Sequence, residues 1–201
     1  SIPKPETPIL AINMGRRGYL TEVDPENAMH AIESFIKGTC KREERTKLSA
    51  TIEGEPAADG LNELVITSGT PSKMLHFMVS IDKSQLLEFR ADGLIVSTPT
   101  GSTAYSLSAG GPIVDNSVGA FVATFICPLE HLTPLIVSMD NSIKVELVAP
   151  KLKGTLVVDG RFQRELQPQS SVTIARSSHK AVFVRLAPIR SLRGLMRLRP
   201  L

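Results

Sequence analysis

The sequence predicts a mainly β chain with a few helices, an α+β protein whose strands form a mostly antiparallel, sandwich-like domain. Short apolar segments rich in Val, Ile, Leu and Phe recur along residues 47–186. Turns rich in Gly, Pro, Asp and Ser separate these segments, and no internal repeat or long linker interrupts the series. Strands at such spacing, joined by short turns, are typical of antiparallel sandwiches.

The elements follow in order along the chain. An apolar strand at 9–13 precedes a loop at 15–18. The clearest helix begins after Asp24, because Asp is a good helix cap and Pro25 suits the first helical position. Its apolar stripe is Ala28, Ile32, Phe35 and Ile36. The remaining strands are predicted at 47–53, 63–67, 75–81, 85–89, 93–97, 121–126, 135–137, 143–148, 156–158, 172–175 and 181–186.

Composition excludes several classes of protein. Lys and Arg number 23 against 20 Asp and Glu, a net charge of +3 that argues against a dedicated nucleic-acid binder. No apolar run approaches the roughly 20 residues of a membrane span. Cys40 and Cys127 show no metal-binding spacing, so we expect free thiols in a reducing compartment and a cytoplasmic location. The scattered histidines and cysteines predict no metal site built by the protein.

Residues 90–112 hold the most informative segment. Pro99 keeps Thr98 extended as the chain leaves an apolar strand, and Gly101 lets the backbone turn or approach a ligand closely. Hydroxyl side chains surround the point where unpaired N–H groups collect at a helix start, which suits a phosphate or a ribose. The alternative is a strand, a turn and a capped helix that bind nothing. The hydroxyl residues are Thr100, Ser102 and Thr103.

The longer string resembles the NAD kinase family. Thr-Pro-Thr-Gly-Ser-Thr-Ala-Tyr at 98–105 follows Asp-Gly at 92–93 and precedes Ser-Ala-Gly-Gly-Pro at 108–112. Other blocks match in the family's order, so that the resemblance covers about residues 8 to 185. These blocks are 8–22, the Asn-Glu pair within 60–66, Cys-Pro at 127–128, 134–137 and Asp-Gly at 159–160.

The resemblance implies how the chain is organised. The family's Gly-Gly-Asp-Gly motif, which binds the nucleoside triphosphate and carries the aspartate thought to activate the acceptor, does not occur here. We therefore expect the C-terminal, substrate-binding portion of a longer kinase, with the catalytic aspartate upstream; a natural one-domain relative is the alternative. Residues 1–20 would be a remnant of an α/β N-terminal domain, 21–185 the NAD-binding sandwich, and 186–201 a tail returning to the first domain.

The resemblance also implies an activity and a site. The expected reaction transfers a phosphoryl group from ATP, or polyphosphate, to the 2′-hydroxyl of the adenosine ribose of NAD, giving NADP. Glu63 is the candidate for a ribose diol, because one carboxylate accepts from two adjacent hydroxyls, and Asn62 suits the adenine edge. Neighbours in a strand point to opposite faces, so both reach one ligand only if a turn re-aims one. Without the resemblance, a polar turn before a strand is the simpler interpretation.

Other residues would contact the rest of the dinucleotide. The resemblance makes Asp92 an acceptor for the nicotinamide carboxamide or another NAD edge, and Tyr105 a stacking group with one polar contact. Tyr19 would cover the adenine. Asp92 and Tyr105 would act across a subunit interface, in a homo-oligomer with a shared substrate site. Thr103, Ala104 and Ser108 would line the same pocket, and the further candidates are Thr100, Gly101, Ser102 and Asp159.

The expected ligands are NAD, NADP and ATP, with Mg²⁺ carried by the phosphates of ATP and no protein ligand for it. No nucleic acid or membrane partner is expected. Two alternatives stay open. One is a non-catalytic module that senses NAD or NADP, and the other is a kinase with a lipid or sugar acceptor.

Overall fold

A computed structural model describes residues 7–15, 20–70, 73–148 and 151–186. The chain divides into two units, one of residues 1–45 with 179–201 and the other of residues 46–178. The domain boundaries predicted at residues 20 and 185 stay a prediction. The proposed roles of Tyr19 and of the tail beyond residue 186 lie outside the described residues.

The predicted helix forms in the first unit. A 3-10 turn over Pro25–Asn27 leads into α1, Ala28–Ile36, with proline at the start as expected. Asp24 makes no side-chain capping bond. The apolar stripe of α1 is largely exposed. Ala31, which lies outside the stripe, is the fully buried residue of this helix.

The N-terminal segment does not form the predicted strand at 9–13. Only two isolated parallel bridges occur there, Ile9 with Phe183 and Ile12 with Val23. The segment is only half-buried, so the prediction of a buried strand there is wrong, and it lacks the run of consecutive pairs that makes a ladder.

A buried charge network lies in the same unit. The Arg185 guanidinium donates to Glu43 at 2.6 Å, to Glu22 at 3.0 Å and to the Leu20 carbonyl at 3.1 Å. Arg45 pairs with the other oxygen of Glu43. Each of these charges has an opposite partner, which offsets the large cost of removing it from water.

The described residues form twelve strands in two six-stranded sheets, which confirms the predicted sandwich-like β fold. The first sheet has the order β2-β1-β12-β9-β4-β5 and the second β11-β10-β3-β6-β7-β8. All neighbours in the second sheet pair antiparallel, as do β2 with β1, β12 with β9, β9 with β4 and β4 with β5 in the first. The strands are β1 Lys41–Ile52, β2 Glu55–Gly60, β3 Glu63–Ser68, β4 Leu75–Ile81, β5 Ser84–Ala91, β6 Gly93–Ser97, β7 Ala120–Ile126, β8 Leu135–Ser138, β9 Ile143–Leu147, β10 Gly154–Val158, β11 Phe162–Leu166 and β12 Ser171–Arg185.

Two strands were missed and two predicted strands are one. β2 and β11 are edge strands with few buried side chains, so they lack the apolar alternation that predicts a strand. The predicted strands at 172–175 and 181–186 join into β12, because the polar residues between them continue the extended backbone.

The core of the second unit lies between the sheets. Phe77 and Phe89 of the first sheet stack at 5.1 Å between ring centroids, and Phe89 meets Phe125 of the second sheet edge to face at 4.9 Å. Alternate residues of β3 and β6 join this core. Glu63 and Ser97 belong to the other set, which is buried on the opposite face of the second sheet.

That opposite face carries the segment 98–114. It begins with a 3-10 turn at Gly101–Thr103, continues into the short helix α2, Tyr105–Ser108, and packs on β6 and β7. The hydroxyls of Ser106 and Thr124 meet at 2.9 Å between the helix and β7.

Among the described residues, no helix has the length and apolar character needed to cross a membrane.

Candidate functional site

Three chain segments meet at one end of the second sheet. β3 is antiparallel to both of its neighbours, with Glu63 opposite Ser97 of β6 and Leu64 opposite Val158 of β10. The start of β3 therefore lies between the ends of β6 and β10. We call the resulting cluster of residues 61–63, 97–105 and 159 the sheet-end site.

Thr98 joins the first two segments. Its N–H donates to the Asn62 carbonyl at 2.9 Å, and its hydroxyl donates to the Leu61 carbonyl at 2.6 Å. The same hydroxyl accepts from the Gly101 N–H at 3.1 Å. The Thr98 hydroxyl thus pairs backbone groups of the turn that precedes α2. The sequence had predicted this role for the neighbouring hydroxyl side chains.

Gly101 allows the two segments to touch. A side-chain carbon at this position would lie 2.0 Å from the carbonyl oxygen of Asn62 and 2.3 Å from its carbonyl carbon. Because both atoms belong to the backbone, no rotamer change would relieve the clash. The close approach at Gly101 is therefore made to the Asn62 backbone, and an approach of Gly101 to a ligand stays a prediction.

Asp159 closes the site from the other side. Its Oδ1 accepts from the N–H groups of Asn62 at 2.8 Å and Glu63 at 3.2 Å, and its Oδ2 accepts from Leu61 at 2.7 Å. The Asp159 N–H donates in turn to the Glu63 carbonyl at 3.0 Å. Asp159 has φ near +49°, a conformation that Asp tolerates in turns.

Glu63 is the most unusual side chain of the site. It is only 8% exposed, and its Oε2 has no hydrogen-bond partner among the described residues. Burial raises the pKa of Glu63 to about 7, the negative charge of Asp159 adds to this rise, and a hydrogen bond from the Tyr105 N–H opposes it. The hydroxyl of Ser97, opposite Glu63 in the sheet, is also buried without a partner in the described part of the chain.

Tyr105, a predicted residue of α2, lies beside this carboxylate, because its N–H donates to Glu63. Tyr105 is 46% exposed at the first position of the helix, Ser108 is exposed at its end, and Thr103 and Ala104 are half-buried. Asn62 is half-buried next to Glu63. The structure therefore brings Asn62, Glu63, Thr103, Ala104 and Tyr105 together on two adjoining segments.

Two of the further candidates shape the loop. Ser102 is fully buried, and its hydroxyl donates to the Pro99 carbonyl at 2.7 Å and accepts from the Val114 N–H at 3.0 Å. The Thr100 hydroxyl bonds the Asn116 side chain at 2.9 Å.

Asp92 lies away from the other predicted residues. It precedes Gly93, so the length of β6 separates it from Ser97, about 17 Å of extended chain. Its carbonyl accepts from the Thr67 hydroxyl at 3.1 Å and the Ser68 N–H at 3.2 Å. One copy of the chain does not bring Asp92 and Glu63 together.

Sequence reasoning missed Ser97 and Thr98 as site residues. The available signal was a hydroxyl at the end of an otherwise apolar buried strand, where an apolar side chain would be the ordinary choice.

A cavity of about 540 Å³ lies beyond the end of α2 rather than at Glu63. Its lining includes Gly110, Phe125, Cys127 and His131, and neither Glu63 nor Tyr105 takes part. Its position adjoins the Asp92 end of β6, because the Asp92 N–H donates to Ile126 at 3.0 Å.

The described residues include no group of three or more His, Cys, Asp or Glu side chains that could hold a metal ion. Polar groups of the sheet-end site are instead two carboxylates, an amide and several hydroxyls, a set that suits hydroxylated organic ligands.

Fold and site together define a two-sheet β domain with a polar site at one sheet end, and comparison with known proteins identifies its family. The family model described as ATP-NAD kinase C-terminal domain matches residues 61–186, and the ATP-NAD kinase N-terminal domain matches residues 2–40. The chain belongs to the NAD kinase family, as its motifs predicted.

Archaeal relatives cover most of the chain. An NAD kinase of Methanothermobacter thermautotrophicus is 47% identical over 184 residues, which are 90% of this chain and 64% of the relative. An NAD kinase of Thermococcus kodakarensis is 43% identical over 184 residues, 90% of this chain and 66% of the relative. The chain thus spans just under two thirds of the length of these relatives.

Solved structures agree with the fold. A yeast NADH kinase complexed with NADH superposes with a TM-score of 0.90 at 26% identity, over 96% of this chain and 60% of the other. An NAD kinase from Archaeoglobus fulgidus in complex with ATP superposes with a TM-score of 0.77 at 32% identity, over 90% of this chain and 69% of the other.

Replacement of Gly101 tests the close approach. We expect Gly101→Ala to lower the free energy of unfolding by about 3 kcal/mol, because the new methyl group must push the Asn62 backbone aside. Gly119→Ala is the matched control, since a side-chain carbon there meets no described atom within 4 Å. Urea unfolding of both variants gives the difference, and equal stability would show that the segments do not touch.

The raised pKa of Glu63 predicts how stability depends on pH. In the folded chain the Glu63 carboxyl has a pKa of about 7, whereas the ordinary group has 4.5. The folded state therefore holds the carboxyl proton more tightly than the unfolded state does, and the free energy of unfolding falls as the pH rises from 4.5 through 7. Between pH 5 and 8 the wild type should lose about 2–3 kcal/mol relative to Glu63→Gln, which has no such proton. Denaturant unfolding at both pH values measures this, and parallel pH profiles for the two proteins would contradict it.

Proposed function

We propose that this chain carries the NAD-binding part of an NAD kinase, which transfers a phosphoryl group from ATP, or polyphosphate, to the 2′-hydroxyl of the adenosine ribose of NAD. The observation that carries the proposal is the buried Glu63 carboxylate, whose Oε2 has no partner among the described residues and which lies beside the half-exposed Tyr105. Membership of the family and the likeness to a yeast NADH kinase complexed with NADH support the same ligand class.

Glu63 binds the ribose through hydrogen bonds that its Oε2 does not make within the described part of the chain. A buried carboxylate oxygen without a partner is costly, and the two hydroxyls of a cis-diol supply two donors to the carboxylate. Such bonds to an ionised group contribute more than neutral ones. The buried Ser97 hydroxyl adds a second polar group on the same face of the sheet, and Asn62 is assigned to the adenine edge.

The short helix contributes the rest of the dinucleotide site. Tyr105 presents an exposed ring and hydroxyl, and Thr103, Ala104 and Ser108 extend the same surface. Ser102, Thr100 and Gly101 act by fixing the loop that carries this surface. Asp159 acts through the Asn62–Glu63 backbone, and Tyr19 is assigned to the adenine from its position in the family's loop.

The site is shared between two copies of the chain. Asp92 lies at the far end of β6 from Glu63, so we assign its contact with NAD to the partner subunit of a homo-oligomer.

Phosphoryl transfer itself depends on positioning and on neutralising charge. Here the chain's own task is to hold the ribose so that its 2′-hydroxyl faces the donor. Mg²⁺ enters with ATP, whose phosphates hold it. Cys40 and Cys127 are free thiols, which agrees with a cytoplasmic location.

Titration with NAD tests the proposal. Glu63→Gln should weaken binding by about 10- to 100-fold, because it replaces a charged acceptor with a neutral amide. Tyr105→Ala should weaken it by about tenfold, and Tyr105→Phe should retain most of the affinity. With a Glu63 pKa of about 7, wild-type affinity should rise about tenfold from pH 6 to pH 8.

Isothermal titration calorimetry measures the dissociation constants for NAD. Glu165→Gln serves as the control, because Glu165 lies on the edge strand β11 and its exposed carboxylate pairs with Lys153. Equal affinity for NAD in the wild type, Glu63→Gln and Tyr105→Ala would remove the assignment of the site.

A further inference from the structure

Both carboxylate oxygens of Asp159 accept hydrogen bonds from the backbone of the sheet-end site. Three consecutive N–H groups, those of Leu61, Asn62 and Glu63, donate to its two oxygens at 2.7 to 3.2 Å. These residues are 96 to 98 positions away in the chain, so the bonds connect two separate parts of the second unit.

The arrangement bends the chain at the start of β3. In an extended strand, successive N–H groups point in opposite directions and cannot reach one atom. Here Asn62 and Glu63 both donate to the same Oδ1 of Asp159. The backbone is therefore re-aimed at these two residues, which is the condition for adjacent side chains to reach one ligand.

The surroundings of Asp159 leave space for this carboxylate. A side-chain carbon at Gly60 would lie 2.7 Å from Val158 and 3.3 Å from Asp159 Oδ1, so glycine admits the acceptor next to the bend. On the other side, Thr98 and Gly101 contact the carbonyls of Leu61 and Asn62. The N–H groups and the carbonyls of the bend are thus fixed by different segments.

We propose that Asp159 is a positioning residue, which aims Asn62 and Glu63 at the dinucleotide through their backbone N–H groups and does not itself contact the ligand. This inference rests on the proposed function, since it concerns how the same site binds NAD. It differs from the ligand contact for which Asp159 was a further candidate.

The position has a further consequence for Glu63. The negative charge of Asp159 contributes to the raised pKa of the Glu63 carboxyl, after burial. Removal of the Asp159 charge should therefore shift the titration of Glu63 to lower pH.

Asp159→Asn is the test variant, because asparagine has nearly the same shape and tolerates the positive φ. An amide presents one oxygen and one NH₂ group, so at least one of the three N–H groups faces a donor and loses its partner. Asp59→Asn is the matched control: Asp59 is half-buried near the same bend, but its carboxylate pairs with Lys47 and Ser177.

Three quantities are measured on the full 201-residue chain. We expect faster hydrogen exchange at the amides of residues 61–63, a lower NMR titration midpoint for Glu63, and at least about tenfold weaker NAD binding for Asp159→Asn. Binding is measured at pH 8, where Glu63 is mostly ionised in both proteins. Asp59→Asn should match the wild type in all three.

The outcomes separate this inference from the proposed function. If the wild type binds NAD and Asp159→Asn binds it equally at pH 8, the positioning role is overturned and the function stands. If the wild type does not bind NAD, both are overturned, whatever the exchange rates show. Should the asparagine variant fail to fold, Asp159→Gly tolerates the same φ and removes the carboxylate, and its NAD affinity decides in the same way.

Discussion

The antiparallel pairing of β3 with both of its neighbours is the constraint on which the site depends. It places the ends of β6 and β10 on either side of the Asn62–Glu63 bend, so that residues far apart in sequence meet. Thr98 then holds the carbonyl side of the bend and Asp159 its N–H side. Because the sheet fixes these strands on both sides, the bend is supported by the rigid part of the domain rather than by a free loop.

The same arrangement keeps one carboxylate in an unfavourable state. Glu63 is buried, has an oxygen without a partner in the described chain, and lies close to a second carboxylate. A sequence selected only for stability would place an apolar or paired residue there. We propose that this cost is retained because a ligand with two hydroxyl donors relieves it.

Local patterns predicted much of this structure, and long-range contacts account for what they missed. The apolar runs gave the bounds of β4 and β6, and the Thr-Pro-Thr-Gly-Ser-Thr-Ala-Tyr string identified the family. β2 and β11 escaped because edge strands need little apolar alternation. The hydrogen bonds of Asp159 were not predicted, because a sequence shows an Asp-Gly turn but not the partner some 97 residues away. The contacts predicted for Asp92 and Tyr19 stay predictions.

A crystal structure of the chain with NAD tests the central claim most directly. The account predicts the adenosine-side ribose with both hydroxyls within hydrogen-bond distance of the Glu63 carboxylate, and the bend at residues 61–63 unchanged by the ligand. NAD bound elsewhere, with Glu63 still buried and its Oε2 without a partner, would contradict it.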